Sequence, residues 1–127
     1  MSVERQRRGR RAEDYVAGRL AGAGWRVLER NARPAGVRGE LDIVARDGEE
    51  LVFVEVKARS TSAVAGPETP VLAVDARKQA QLRRLAVAWL REPGRGSESF
   101  AGLRFDVAGV WLEGDAVVRW EYLRAAF

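Results

Sequence analysis

The sequence predicts an α/β domain in which a mixed β-sheet is flanked by helices, in the order α-β-β-β-α-β-β. Three observations predict it. Residues 11–25 and 76–92 carry apolar side chains at helical spacing. Five shorter runs, rich in Val, Leu, Phe and Trp, have the lengths and flanks of strands. Two gaps between those runs are tight turns, "DGE" at 47–49 and "EGD" at 113–115. The chain has 127 residues, 46% hydrophobic and 31% charged, which suits one domain with one core. Helices mixed with a meander then imply a sheet with a helix packed on each side.

Taken in order, residues 1–10 read as a basic N-terminal arm, flexible and solvated, ahead of a single domain over 11–127. Arg5, Arg7, Arg8, Arg10 and Arg11 stand against Glu4 in the first eleven residues, a net +4 equal to that of the whole chain. "RAEDYVAGRLAGAGW" follows as a helix with Val16, Ala17 and Leu20 on its apolar stripe and Gly22 and Gly24 to stop it. Glu13 lies three, four and seven residues before those positions, so it projects to the core side. A carboxylate aimed there needs a partner, either a structural Arg or backbone donor, or a ligand.

"WRVLERN" is the first strand, and "ARPAGVRG" a loop. A hairpin follows, strand 40–46, turn "DGE", strand 50–58. Residues 59 to about 74, rich in Ser, Thr, Gly and Pro, form a long loop suited to contacting a partner. Asp75 is the expected N-cap of the second helix, whose Leu82, Leu85, Ala86 and Trp89 make an apolar stripe while Arg77, Lys78, Arg83 and Arg84 occupy other faces. "FAGLRFDVAGVWL" and "AVVRWEYL" complete the sheet.

Composition removes several chemistries. Without cysteine there is no disulfide, thiolate metal site or Cys nucleophile, and without histidine no imidazole ligand or Ser-His-Asp triad. Any metal must be held by oxygen, which favours Mg²⁺ or Mn²⁺. The pI of about 10.3 favours a polyanionic partner. No segment resembles a signal peptide or a membrane span, so a cytoplasmic location without a membrane partner is expected.

The hairpin carries the chemistry. Side chains alternate along a strand, so Leu51, Phe53, Glu55, Lys57 and Arg59 share one face, and Glu40, Asp42 and Val44 share one on the preceding strand. Hairpin register sets Asp42 beside the Glu55–Lys57 end. These charges mark either a solvent-exposed sheet face or a site. Phe53 and Leu51 ask for cover on that face, and the second helix has a stripe with which to cover it. Two carboxylates fix a divalent cation, and a lysine about 6.6 Å along the strand orients water or offsets charge on a phosphate. Glu13 is placed to complete the ligand set through water. Arg59 shares the site face and either contacts phosphate or forms a salt bridge. Asp106 alternates with Arg104 and either pairs with it or joins the site.

Asp42, twelve intervening residues and "EVK" at 55–57 match the Asp…Glu-x-Lys core of the PD-(D/E)XK, restriction-endonuclease-like nucleases. More closely, "GRRAEDYVAGRLAGAGWRVLERNAR", "GELDIVARDGEELVFVEVKAR", "ARKQAQLRRLAVAWL", "RFDVAGV" and the closing "AF" resemble the YraN family of small bacterial endonuclease-like proteins. The resemblance implies a restriction-endonuclease-like fold related to that of archaeal Holliday-junction resolvases. It implies catalytic Asp42, Glu55 and Lys57, with Glu13, Asp42 and Glu55 around a Mg²⁺ or Mn²⁺ ion, and Glu40 and Asp106 as secondary candidates. Leu41 stands where the superfamily's name has Pro.

The expected function is metal-dependent hydrolysis of DNA phosphodiester bonds, with branched DNA a candidate substrate. Arg5, Arg7, Arg8, Arg10, Arg11, Arg59 and Lys78 are the candidate nucleic-acid contacts, and a homodimer would supply one active site per strand. The alternative is a non-catalytic nucleic-acid-binding module on the same fold, held to phosphates by its basic residues.

Overall fold

A computed structural model describes residues 2–62, 73–94 and 99–127. Helix α1 (Val3–Gly22) leads into β1 (Arg26–Ala32), β2 (Leu41–Asp47) and β3 (Glu50–Ser60); α2 (Ala76–Arg91) precedes β4 (Gly102–Glu113) and β5 (Ala116–Leu123). This is the expected order, α-β-β-β-α-β-β, on a restriction-endonuclease-like mixed sheet. The strands lie in the sequence order β1-β2-β3-β4-β5. Only the β3–β4 pair is parallel among them, because the connection through α2 returns the chain to the end of the sheet where β3 began. Both sharp hairpins put a glycine with positive φ just after the last paired residue, Gly48 (φ +60°) after Asp47 and Gly114 (φ +62°) after Glu113.

Helix α1 begins further toward the N-terminus than its apolar stripe indicated, so residues 3–10 are its first turns and not a separate arm. Ser2 caps it, its Oγ accepting from the Arg5 N–H at 3.1 Å, and Glu4 sits in the first turn. Arg7 then pairs with Asp115 at 2.6 Å, and Arg11 Nε donates to the Asp115 carbonyl at 3.0 Å. These ties to the β4–β5 turn offset the repulsion among the arginines, which are themselves good helix formers. The expected partner-contacting loop falls mostly on residues 63–72, outside the described residues.

Each helix covers one face. Ala12, Val16, Ala17 and Leu20 of α1 pack on Ile43, Ala45, Val52, Val54, Ala108 and Val110. Leu82, Leu85, Ala86 and Trp89 of α2 pack on Val44, Leu51, Phe53 and Val107. Asp75 caps α2 as expected, its Oδ1 accepting from the Lys78 N–H at 2.9 Å. Strand β3 is therefore apolar on both sides from Leu51 to Val54, as a strand buried between two layers must be. Full burial of each such side chain stabilises the fold by roughly 1.5–3 kcal/mol. No helix among the described residues is long and apolar enough to cross a membrane.

Candidate functional site

The site begins where the β2–β3 ladder stops. The last pair on that side is Ile43 with Val54. One residue further, Asp42 and Glu55 face each other, yet the strands part while β3 continues beside β4 to Ser60. The Asp42 carboxylate fills the gap, Oδ2 accepting from the Val56 N–H at 2.8 Å in place of a backbone carbonyl. Such a fork leaves backbone donors that must be satisfied, and here a carboxylate satisfies one.

Three elements send carboxylates into this opening. Glu13 comes from the second half of α1, Glu40 from just before β2 and Asp42 from its start, and their oxygens lie within 4.8 Å of one another. Asn31, at the end of β1, spans two of them: its Nδ2 donates to Glu13 Oε1 at 2.7 Å and to Glu40 Oε1 at 2.9 Å. Asn31 has φ +53°, a left-handed conformation that asparagine tolerates better than most residues and that is held where surrounding structure demands it. Arg33 pairs with the other oxygen of Glu40 at 3.0 Å. Glu55, only 5% exposed, completes the group beside Asp42, with Lys57 Nζ at 3.7 Å and Lys78 Nζ at 3.4 Å from its Oε2.

The electrostatics record the crowding of anions. Burial, the hydrogen bond shared with Glu55 and the charge of Glu55 push Asp42 up to about 9, against the lowering effect of the Val56 N–H. Burial also lifts Glu13 above the usual carboxylate range, opposed by the Asn31 hydrogen bond and reinforced by Glu40. Without a cation, Asp42 retains its proton at neutral pH. A cluster of oxygen donors that must otherwise hold a proton matches a hard divalent ion, so the residues present fit a metal centre.

Glu13 and Asp42 cluster with Glu40, while Glu55 adjoins that cluster through Asp42 and is contacted by Lys57 and Lys78. Lys78 is tied to Glu55, a role its place on an arginine-rich helix did not reveal. Asp106 is elsewhere. It is fully buried and accepts from Arg104 Nε (2.9 Å), Tyr122 Oη (2.5 Å) and the Ala125 N–H (2.9 Å), which makes it a tie for the C-terminal strand rather than a ligand. Arg59 lies on β3 beyond Lys57, opposite Trp111. Arg5 and Arg10 are exposed on α1, Arg7 and Arg11 are engaged with Asp115, and Arg8 borders a hollow with Ser60 and Ser62. Asn31 escaped the sequence reading; its one signal was an asparagine ending a strand-like run before a loop.

The profile of the uncharacterised protein family UPF0102 matches residues 12–110, a span that holds every residue of the fork. Among similar proteins, a UPF0102 protein of Moorella thermoacetica is 45% identical over 130 residues, covering 100% of both chains. One of Geobacter sulfurreducens is 43% identical, covering 94% of this chain and 87% of its own. Another, of Streptomyces coelicolor, is 48% identical over 82% of this chain and 75% of its own. On these matches the chain belongs to the uncharacterised protein family UPF0102, the YraN family whose motifs it carries.

Proposed function

We propose that the protein is a metal-dependent nuclease that hydrolyses DNA phosphodiester bonds at the β2–β3 fork. The observation that supports this reading is the meeting of Asp42, Glu55 and Lys57 with the Glu13–Glu40 pair in one partly buried opening. Asp42 and Glu55 would hold Mg²⁺ or Mn²⁺, with Glu13 and Glu40 ligating directly or through water. The ion supplies Lewis acidity toward a phosphate oxygen and acidifies water at neutral pH.

The chain's own groups do the rest. Asp42 would have to release its raised-pKa proton to serve as a ligand, which would couple metal affinity to pH. Lys57, 29% exposed, positions the attacking water or balances charge on the phosphate. Lys78 holds the Glu55 carboxylate from the opposite side, and Asn31 fixes the separation of Glu13 and Glu40. Branched DNA is the first substrate to test, with two copies of the chain supplying one site per strand.

The test is cleavage of labelled linear, nicked, flapped and four-way DNA with Mg²⁺ or Mn²⁺. The parent cuts at least one of these, and Asp42→Ala, Glu55→Ala and Lys57→Ala each lose about 10²-fold or more in rate. Failure to cut any of them, or variants as active as the parent, removes the proposal.

A further inference from the structure

Beside the fork, residues 36–38 and the first turns of α2 enclose a groove of about 530 Å³. Its cationic lining is Arg38, Arg77, Lys78 and Arg84, and its acid is Asp75, whose Oδ1 is occupied by the Lys78 N–H. Lys78 belongs to both places, lining the groove while its Nζ sits 3.4 Å from Glu55. The groove is thus continuous with the carboxylate site through one side chain.

The two walls are fixed to each other. Gln81 Nε2 donates to the Arg38 carbonyl at 3.0 Å, which pins the loop to α2. Gly39, at φ +120°, makes that approach possible: a Cβ there would lie 2.5 Å from Gln81 Nε2 and 3.2 Å from Leu85 Cδ1. Arg77, Gln81 and Arg84 follow at i, i+4 and i+7, one stripe of the helix about 10.5 Å long. Arg7, Arg30 and Arg33 are neutralised by carboxylates. Arg38, Arg77 and Arg84 are exposed and form no ion pair among the described residues. Exposed like charges gathered in a concavity repel one another and lower their energy when an anion enters.

We propose that this groove seats the sugar-phosphate backbone of a DNA strand flanking the scissile bond, through Arg38, Arg77 and Arg84, with Lys78 at the junction. The assignment rests on the fork being a phosphodiester site. It gives α2, rather than the basic start of α1, the main contact with DNA.

The experiment compares the full chain with two variants of equal charge change, Arg38→Ala/Arg77→Ala/Arg84→Ala in the groove and Arg5→Ala/Arg8→Ala/Arg10→Ala on α1. Binding to a labelled duplex is followed by fluorescence anisotropy over a salt series with Ca²⁺ present, and Mn²⁺ affinity is measured separately. The groove variant loses roughly tenfold or more in affinity, and its log–log salt slope falls by about 2.7, for three phosphate contacts at ~0.9 each. It keeps the parent's Mn²⁺ affinity, and the α1 variant loses less DNA affinity. A parent that binds no DNA, or a groove variant that loses no more than the α1 variant, overturns the proposal. If the parent binds through the groove but cuts nothing, the hydrolytic reading falls and the groove stands. If it cuts while the groove variant binds as the parent does, the groove falls alone.

Discussion

Asp42 stands at the balance between folding and function. An ordinary aspartate titrates near 3.8, and this one is held at about 9 by burial and by Glu55. Below the lower value both folded and unfolded chains are protonated there, and the group's stabilising contribution is complete. As pH rises between the two values, the unfolded chain releases a proton that the native state retains. Stability therefore falls with pH until the upper value is passed. Asp42→Asn removes that titration while keeping an acceptor for the Val56 N–H and gaining a donor toward Glu55. Without metal, this variant should melt above the parent at pH 9, with the difference shrinking as pH falls toward 4, while losing divalent-ion affinity. Melting curves in chelator across that range check the first part and calorimetric Mn²⁺ titration the second. Asn31 makes the complementary case. Asn31→Gly accepts the left-handed backbone but removes the amide between Glu13 and Glu40, so stability should change by no more than about 1 kcal/mol. Metal affinity should fall about 10–100-fold, as for other groups that orient ligands. An affinity equal to the parent's would show that the amide does not organise the site.

At the scale of the element, β3 does two jobs along one length. Its first half is core on both sides, and its second half, beyond the last β2 pair, carries Glu55 and Lys57 with β4 as its strand partner. Phe53 lies two residues before Glu55 and packs edge-on to Trp89 and stacked on Phe105. Phe53→Ala should cost about 3–5 kcal/mol in urea unfolding with an unchanged m-value. A loss below about 1 kcal/mol would mean that the site end of β3 stands without its core end. The helices show how local chemistry sets boundaries. Asp75 was legible as a cap because a capping side chain acts within one turn of its own position. The start of α1 was not, because Asp115, which engages Arg7 and Arg11, is more than a hundred residues away.

For the whole molecule, the C-terminal strand is fastened by a network that shares no residue with the fork. Asp106 collects Arg104, Tyr122 and the Ala125 N–H, while Arg104 also reaches Asp47 and Glu50 in the first hairpin. Burial and the hydrogen bond to Asp106 raise Tyr122 above the usual phenol range. Removing that phenol in Tyr122→Phe takes away one charge-assisted bond and should cost about 1.5–3 kcal/mol by denaturant unfolding. Because the network is separate from the fork, Mn²⁺ affinity should stay at the parent's value. A coupled loss of both would show that the two ends of the sheet communicate.

The sequence by itself determined the element order, both helix stripes, the two glycine turns and the neighbourhood of Asp42 and Glu55 across the hairpin. All of these follow from periodicity or from register across a two-residue turn, which are local rules. The tertiary structure decided the rest. It set Asn31 between Glu13 and Glu40, gave Lys78 to Glu55, and withdrew Asp106 into a structural network. Those assignments depend on where the β2–β3 ladder stops and on which helix crosses the opening, distances that neighbouring residues do not encode.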